Sequence, residues 1–137
     1  MDMKKLTVVV EYCENNLSAY INEVDGIIAT GSNFTELKSN LATAVEEYIE
    51  TCKECEFEIP EELVGEYALV YKYDLCSFLN AFSNVLSKSG LESLTGVNQK
   101  QLWHYAKGMN KPRRNILEKV QESIHEFGKD LMSVEFV

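Results

Sequence analysis

Hydrophobic and polar positions follow two different rhythms along the chain. Residues 5–12 are rich in β-branched side chains, residues 17–24 alternate through Ala19, Ile21 and Glu23, and residues 27–30 are short and apolar. Glu14-Asn15-Asn16 and Asp25-Gly26 separate these runs with residues that tolerate left-handed backbone, so three antiparallel strands joined by tight turns are predicted. Ser32 or Asn33 then caps a helix in which Phe34, Leu37, Leu41, Ala44, Val45, Tyr48 and Ile49 recur at three and four residues. Its apolar side is expected to lie across one face of the sheet. An acidic connection over residues 53–65 leads to residues 67–73, where Ala68, Val70 and Lys72 alternate again and predict a fourth strand.

From Asp74 onward the period is helical. Helices are predicted over residues 75–86, 89–95, 98–107 and 113–127, followed by a short strand over residues 133–136 that would pair with its own copy across a dimer. The predicted fold is α+β: a βββαβ domain over residues 1–73, then an all-α helix-turn-helix domain over residues 74–137.

The most informative stretch is Gly90 to Tyr105. A short helix ending at Gly96, then Val97, then a helix opening at Asn98 has the spacing of a helix-turn-helix, with Leu91, Leu94, Val97, Leu102 and Tyr105 holding the two helices together. Gln99, Lys100, Trp103, His104 and Lys107 then face outward. Glutamine pairs with adenine, lysine with guanine, and flanking lysine and arginine with phosphate. Gln99, Lys100 and His104 are the expected base readers, and Asn98 at the helix start belongs to the same DNA surface. Lys107, Lys111, Arg113 and Arg114 are expected to neutralise phosphates. Trp103 either packs against the neighbouring helix or covers a sugar-phosphate. A structural α-hairpin that binds protein is the alternative for the whole motif.

Net charge bears directly on that choice. The 137 residues carry a formal net charge of −9, which by itself argues against nucleic acid. The average conceals a split: residues 1–66 hold 15 acids and four lysines, whereas residues 67–137 hold seven acids and nine bases. Between Lys88 and Lys119 stand seven bases and only Glu92 and Glu118. Such a chain suits two partners of opposite sign. At 45 % apolar and 26 % charged it is globular in composition, and no apolar run approaches the roughly 18 residues that span a bilayer. No secretion signal is evident, so a cytoplasmic protein with four free cysteines is expected.

Taken along its length, the sequence resembles the HicB antitoxin family in its helix-turn-helix variant. The first half matches through Val8-Val9-Val10-Glu11-Tyr12, Ser18-Ala19-Tyr20-Ile21, Asp25-Gly26-Ile27, Gly31, Thr35-Glu36-Leu37 and Glu46-Glu47-Tyr48-Ile49-Glu50. The second matches through Phe78-Leu79, Gly90-Leu91, Leu94 to Gln99, Leu102 to Tyr105, Gly108 and Lys111-Pro112. The resemblance implies a partial ribonuclease-H-like domain that blocks a small basic HicA-like mRNA interferase, and a DNA-binding domain that represses their shared operon. Glu46, Glu47, Glu50 and Glu54 on the first helix are the expected toxin contacts, and a homodimer or higher homo-oligomer would present two reading helices to operator DNA. Open alternatives are a regulator or interaction module without a toxin and, further off, a metal-dependent nuclease.

Other chemistry finds little footing. Glu11, Glu23 and Asp25 are the acids nearest the strands, but two fall on solvent-facing positions and one in a turn, a poor cradle for two magnesium ions. Cys52 and Cys55 have the spacing of half a zinc knuckle, while Cys13 and Cys76 stand singly. No hydrolytic triad and no glycine-rich phosphate loop is discernible, so no catalytic residue, metal or cofactor is expected.

Overall fold

The computed structural model describes residues 3–137; residues 1 and 2 of the expected first domain lie outside them. The arrangement is mixed α+β, with all four strands in the first part of the chain and one long helix between the third and the fourth: β1 (Lys4–Cys13), β2 (Asn16–Ile21), β3 (Ile28–Gly31), α1 (Phe34–Glu54), β4 (Tyr67–Tyr73), α2 (Leu75–Ala81), α3 (Lys88–Thr95), α4 (Gln99–Ala106) and α5 (Arg114–Met132). The four strands form one sheet in the order β3-β2-β1-β4. β1 pairs antiparallel with β2, and β2 with β3. β4 returns parallel to β1, with Lys4 beside Tyr67 and Val10 beside Tyr73. A parallel return needs a long crossover, which α1 and the acidic connection supply. Lys4 fastens the end of that connection by donating from Nζ to the carbonyls of Glu61 and Val64.

Alternation decides which face is covered. Leu6, Val8 and Val10 of β1, Leu17, Ala19 and Ile21 of β2 and Ala29 of β3 are buried under Leu37, Leu41, Val45 and Cys52 of α1. Lys5, Glu11, Ser18, Tyr20, Ile28 and Thr30 point the other way and are exposed. The hairpin between β1 and β2 turns on Glu14 and Asn15, both at positive φ (50° and 63°), as the twist of a two-residue turn demands. Asn33 is the N-cap of α1: its Oδ1 accepts the Glu36 N–H at 2.8 Å, while the Ser32 hydroxyl donates to the Glu36 carboxylate. Gly31 permits the close approach of helix and sheet, since a Cβ there would stand 2.6 Å from the Leu37 nitrogen.

Phe34 packs edge-on against Tyr71 and Tyr73, with ring centroids 4.9 and 5.7 Å away. Burial, reinforced by the neighbouring Tyr71, pushes the Tyr73 phenol up from 10.0 to about 12. A phenol that holds its proton more tightly when folded stabilises the fold fully below the unfolded value and loses that contribution as pH rises through the folded one. The sheet unit should therefore weaken between pH 10.0 and about 12. Urea midpoints followed by circular dichroism check this, and Tyr73→Phe should flatten the decline.

Several predicted boundaries move. The second strand ends at Ile21 rather than residue 24, because Asn22 donates to the Thr7 carbonyl and the Glu23 carboxylate accepts the Thr7 N–H at 2.7 Å. The helix expected over residues 75–86 stops at Ala81; Ser83 bonds back to Asn80 through both its N–H and its hydroxyl, and turns follow. α5 continues past residue 127 to Met132. The strand expected over residues 133–136 does not form. Ser133 donates twice to the Asp130 carbonyl and Val134 donates to Leu131, so this segment closes the helix instead.

The chain divides into two compact units, one up to Ser77 and one from Phe78 onward. Asp74 caps the first turn of α2 through the Ser77 N–H, and the Ser77 hydroxyl accepts the Tyr12 N–H of β1 at 3.0 Å. Among the described residues, no helix is long and apolar enough to cross a membrane.

Candidate nucleic-acid interface

The second unit is organised around two eight-residue helices and the turn between them. Ser87 caps α3 by accepting the Gly90 N–H at 3.0 Å. At the other end Gly96 adopts φ 75°, the left-handed conformation that glycine takes without a Cβ penalty, and its N–H closes onto the Glu92 carbonyl at 2.8 Å. Thr95 is buried with its hydroxyl satisfied twice, donating to the Leu91 carbonyl and accepting the Val97 N–H. Leu91, Val97, Leu102, Tyr105 and Ala106 form the interior, whereas Leu94 is only half-buried. Lys119 of α5 brings its ammonium to 3.2 Å from where a Cβ on Gly96 would stand, at the negative end of α3.

Two side chains open α4. Asn98 accepts the Lys100 N–H at 2.8 Å through Oδ1, so the oxygen that would contact a base is engaged as a helix cap. Glu92 reaches across the turn and accepts the Gln99 N–H, also at 2.8 Å. Nothing in the spacing indicated this second cap. It places a carboxylate at the start of α4, where a phosphate would otherwise find a free N–H.

The outward face of α4 carries Gln99, Lys100, Trp103 and Lys107, all exposed, with His104 half-buried at its margin. Their spacing of one, four and eight residues puts them on one side of the helix. Trp103 is 45 % exposed on this face, its remaining surface covered by the protein. Its ring meets His104 edge-on at 5.4 Å and receives the Lys107 ammonium at 5.7 Å.

After Gly108, at φ 73°, the chain passes to α5. Lys111, Arg113 and Arg114 are exposed there. Lys111 and Arg113 line an open cavity of about 500 Å³ together with Gln101, Tyr105, Asn110, Asn115 and Ile116. Gln101 donates to the Tyr105 hydroxyl at 2.6 Å on its wall. Gln101, Asn110 and Asn115 are not among the predicted site residues; their amides line the cavity beside the two cations of Lys111 and Arg113. Arg114 is held by Glu118 one turn along at 3.2 Å, an exposed pair that a phosphate could displace at little cost.

In the first unit Glu46, Glu47, Glu50 and Glu54 are exposed and share one side of α1, with Cys55 just beyond the helix. Cys52 is buried and Cys55 exposed, and among the described residues no group of three or more His, Cys, Asp or Glu side chains is arranged to hold a metal ion. Glu11, Glu23 and Asp25 lie at the exposed positions expected of them. Comparison of the chain with protein-family models, with curated proteins and with solved structures gave no match.

Proposed function

We propose that this chain is a cytoplasmic, non-catalytic antitoxin of the HicB kind, acting as a homodimer that represses its own operon through α4 and neutralises a small basic mRNA interferase through its first unit. The observation that carries the DNA half is the exposed face of α4, where Gln99, Lys100, Trp103 and Lys107 stand together beyond a left-handed glycine turn. On this reading Gln99, Lys100 and His104 read base edges, while Lys107, Lys111, Arg113 and Arg114 neutralise phosphates. The cap made by Glu92 directs phosphate away from the start of α4 and toward the cavity at Lys111 and Arg113. For the toxin half, the acids on one side of α1 supply a field that steers a cationic protein.

Fluorescence anisotropy on a duplex from the region upstream of the reading frame, against a scrambled duplex, tests the DNA reading. Gln99→Ala should reduce the preference between the two duplexes by about 1–3 kcal/mol with little loss on the scrambled one. Equal losses on both would remove Gln99 from the reading surface. Glu47→Lys together with Glu50→Lys should abolish co-purification of the basic ribonuclease and leave DNA affinity intact.

A further inference from the structure

We infer that Trp103 reads the C5-methyl group of thymine, so that the outward face of α4 selects A·T pairs at the position this ring covers. The inference rests on the reading of α4 as the helix that enters the major groove. Counted at about 100° per residue, Trp103 lies one turn beyond Gln99 and Lys100 and between them, about 40° from the first and about 60° from the second. A side chain so placed faces the base edges that separate those two contacts, whereas phosphates border the groove on either side.

The ring is held before any nucleic acid arrives. Just over half of its surface is covered, His104 meets it edge-on at 5.4 Å, and the Lys107 ammonium stands over it at 5.7 Å. Little side-chain freedom is left to lose on binding.

The chemistry of the indole then selects the base. It offers a broad apolar surface and one N–H donor, and it accepts no hydrogen bond. In the major groove guanine presents two acceptors, cytosine a donor and adenine one of each, groups that lose water against carbon without full replacement. Thymine alone presents an apolar group there, its C5-methyl, beside an O4 acceptor that an N–H can meet. Gln99, the expected adenine reader, adjoins Trp103 on the same face, so a run of A·T pairs satisfies both side chains. Stacking of an unpaired base is the competing use of an exposed indole. The Lys107 ammonium occupies a side of the ring that such a base would need.

Fluorescence anisotropy of the full chain on the upstream duplex, compared with the same duplex carrying uracil at every thymine, removes the methyl groups and leaves pairing intact. One or two methyl groups covered by Trp103, at about fourfold each, should make the parent chain bind the uracil duplex about four- to fifteen-fold more weakly. Trp103→Ala should bind both duplexes alike and keep the far-UV helix signal. A second readout needs only the parent chain, so it decides the matter even where Trp103→Ala is unfolded. With 5-bromouracil at the thymines, bromine at the methyl position should quench the emission of Trp103, the single tryptophan, beyond the quenching caused by the unmodified duplex. Equal parental affinity for the thymine and uracil duplexes, discrimination that survives in folded Trp103→Ala, absence of bromine quenching, or equally tight binding of one strand alone would each overturn the inference. A parent chain that binds none of these duplexes would remove the DNA reading of α4 itself and this inference with it, an outcome distinct from the other four.

Discussion

Leu102→Ala is expected to unfold the helical unit while leaving the sheet unit folded. Leu102 is 0 % exposed at the centre of α4, among Leu91, Val97, Tyr105 and Ala106. Emptying such a position removes about 2–5 kcal/mol, the lost transfer energy plus the cavity left behind. A helical unit of this size has roughly 3–5 kcal/mol to lose, so the change takes most or all of it. The single tryptophan, Trp103, belongs to this unit and reports on it alone. Its emission should resemble that of the unfolded chain at little or no urea, while the circular dichroism of the sheet retains its own transition. An unchanged tryptophan midpoint would show that α4 is not seated as described.

The second large effect is electrostatic. Replacing Lys107, Lys111 and Arg113 together with alanine should weaken DNA binding by about 10²–10³-fold at 0.1 M salt, because each phosphate contact releases close to one counterion. All three side chains are exposed, so the substitutions leave the interior untouched and stability should change little. The loss should be the same on specific and scrambled duplexes, since phosphate contacts position a protein without reading sequence. Capture of the cationic partner should survive, because the acids assigned to it lie on α1. A loss confined to one duplex would mean that these residues read bases.

Where a pattern is local the sequence disclosed the structure. Phe34, Leu37, Leu41 and Val45 announce α1 because the period that buries them is a property of one helix, and the Gly96 turn is visible because only backbone conformation selects glycine there. The errors fall where a non-local contact decides. Glu23 reads as part of an alternating strand but folds back to accept the Thr7 N–H. Phe82, Val85 and Leu86 keep helical spacing beyond the point at which Ser83 bonds to Asn80 and the helix ends. Residues 133–136 alternate as a strand would, yet Ser133 and Val134 bond back to the Asp130 and Leu131 carbonyls and close α5 instead.

Much the same holds at the candidate site. Gln99, Lys100, Trp103 and Lys107 could be placed on one face by counting, because helical geometry fixes their relation. Glu92 could not. It lies seven residues before the N–H it caps, and the bond exists only because the Gly96 turn folds α3 back toward α4. Gln101, Asn110 and Asn115 meet Lys111 and Arg113 only once the passage from α4 to α5 has taken its shape.

Binding of the upstream duplex to the full chain across a series of salt concentrations tests most directly whether an acidic protein carries an anion-seeking reading surface. With four cations assigned to phosphates, the logarithm of the association constant should fall linearly with the logarithm of salt concentration at a slope of about −3 to −4 for each α4 engaged. A flat plot, or no binding at low salt, would contradict the account.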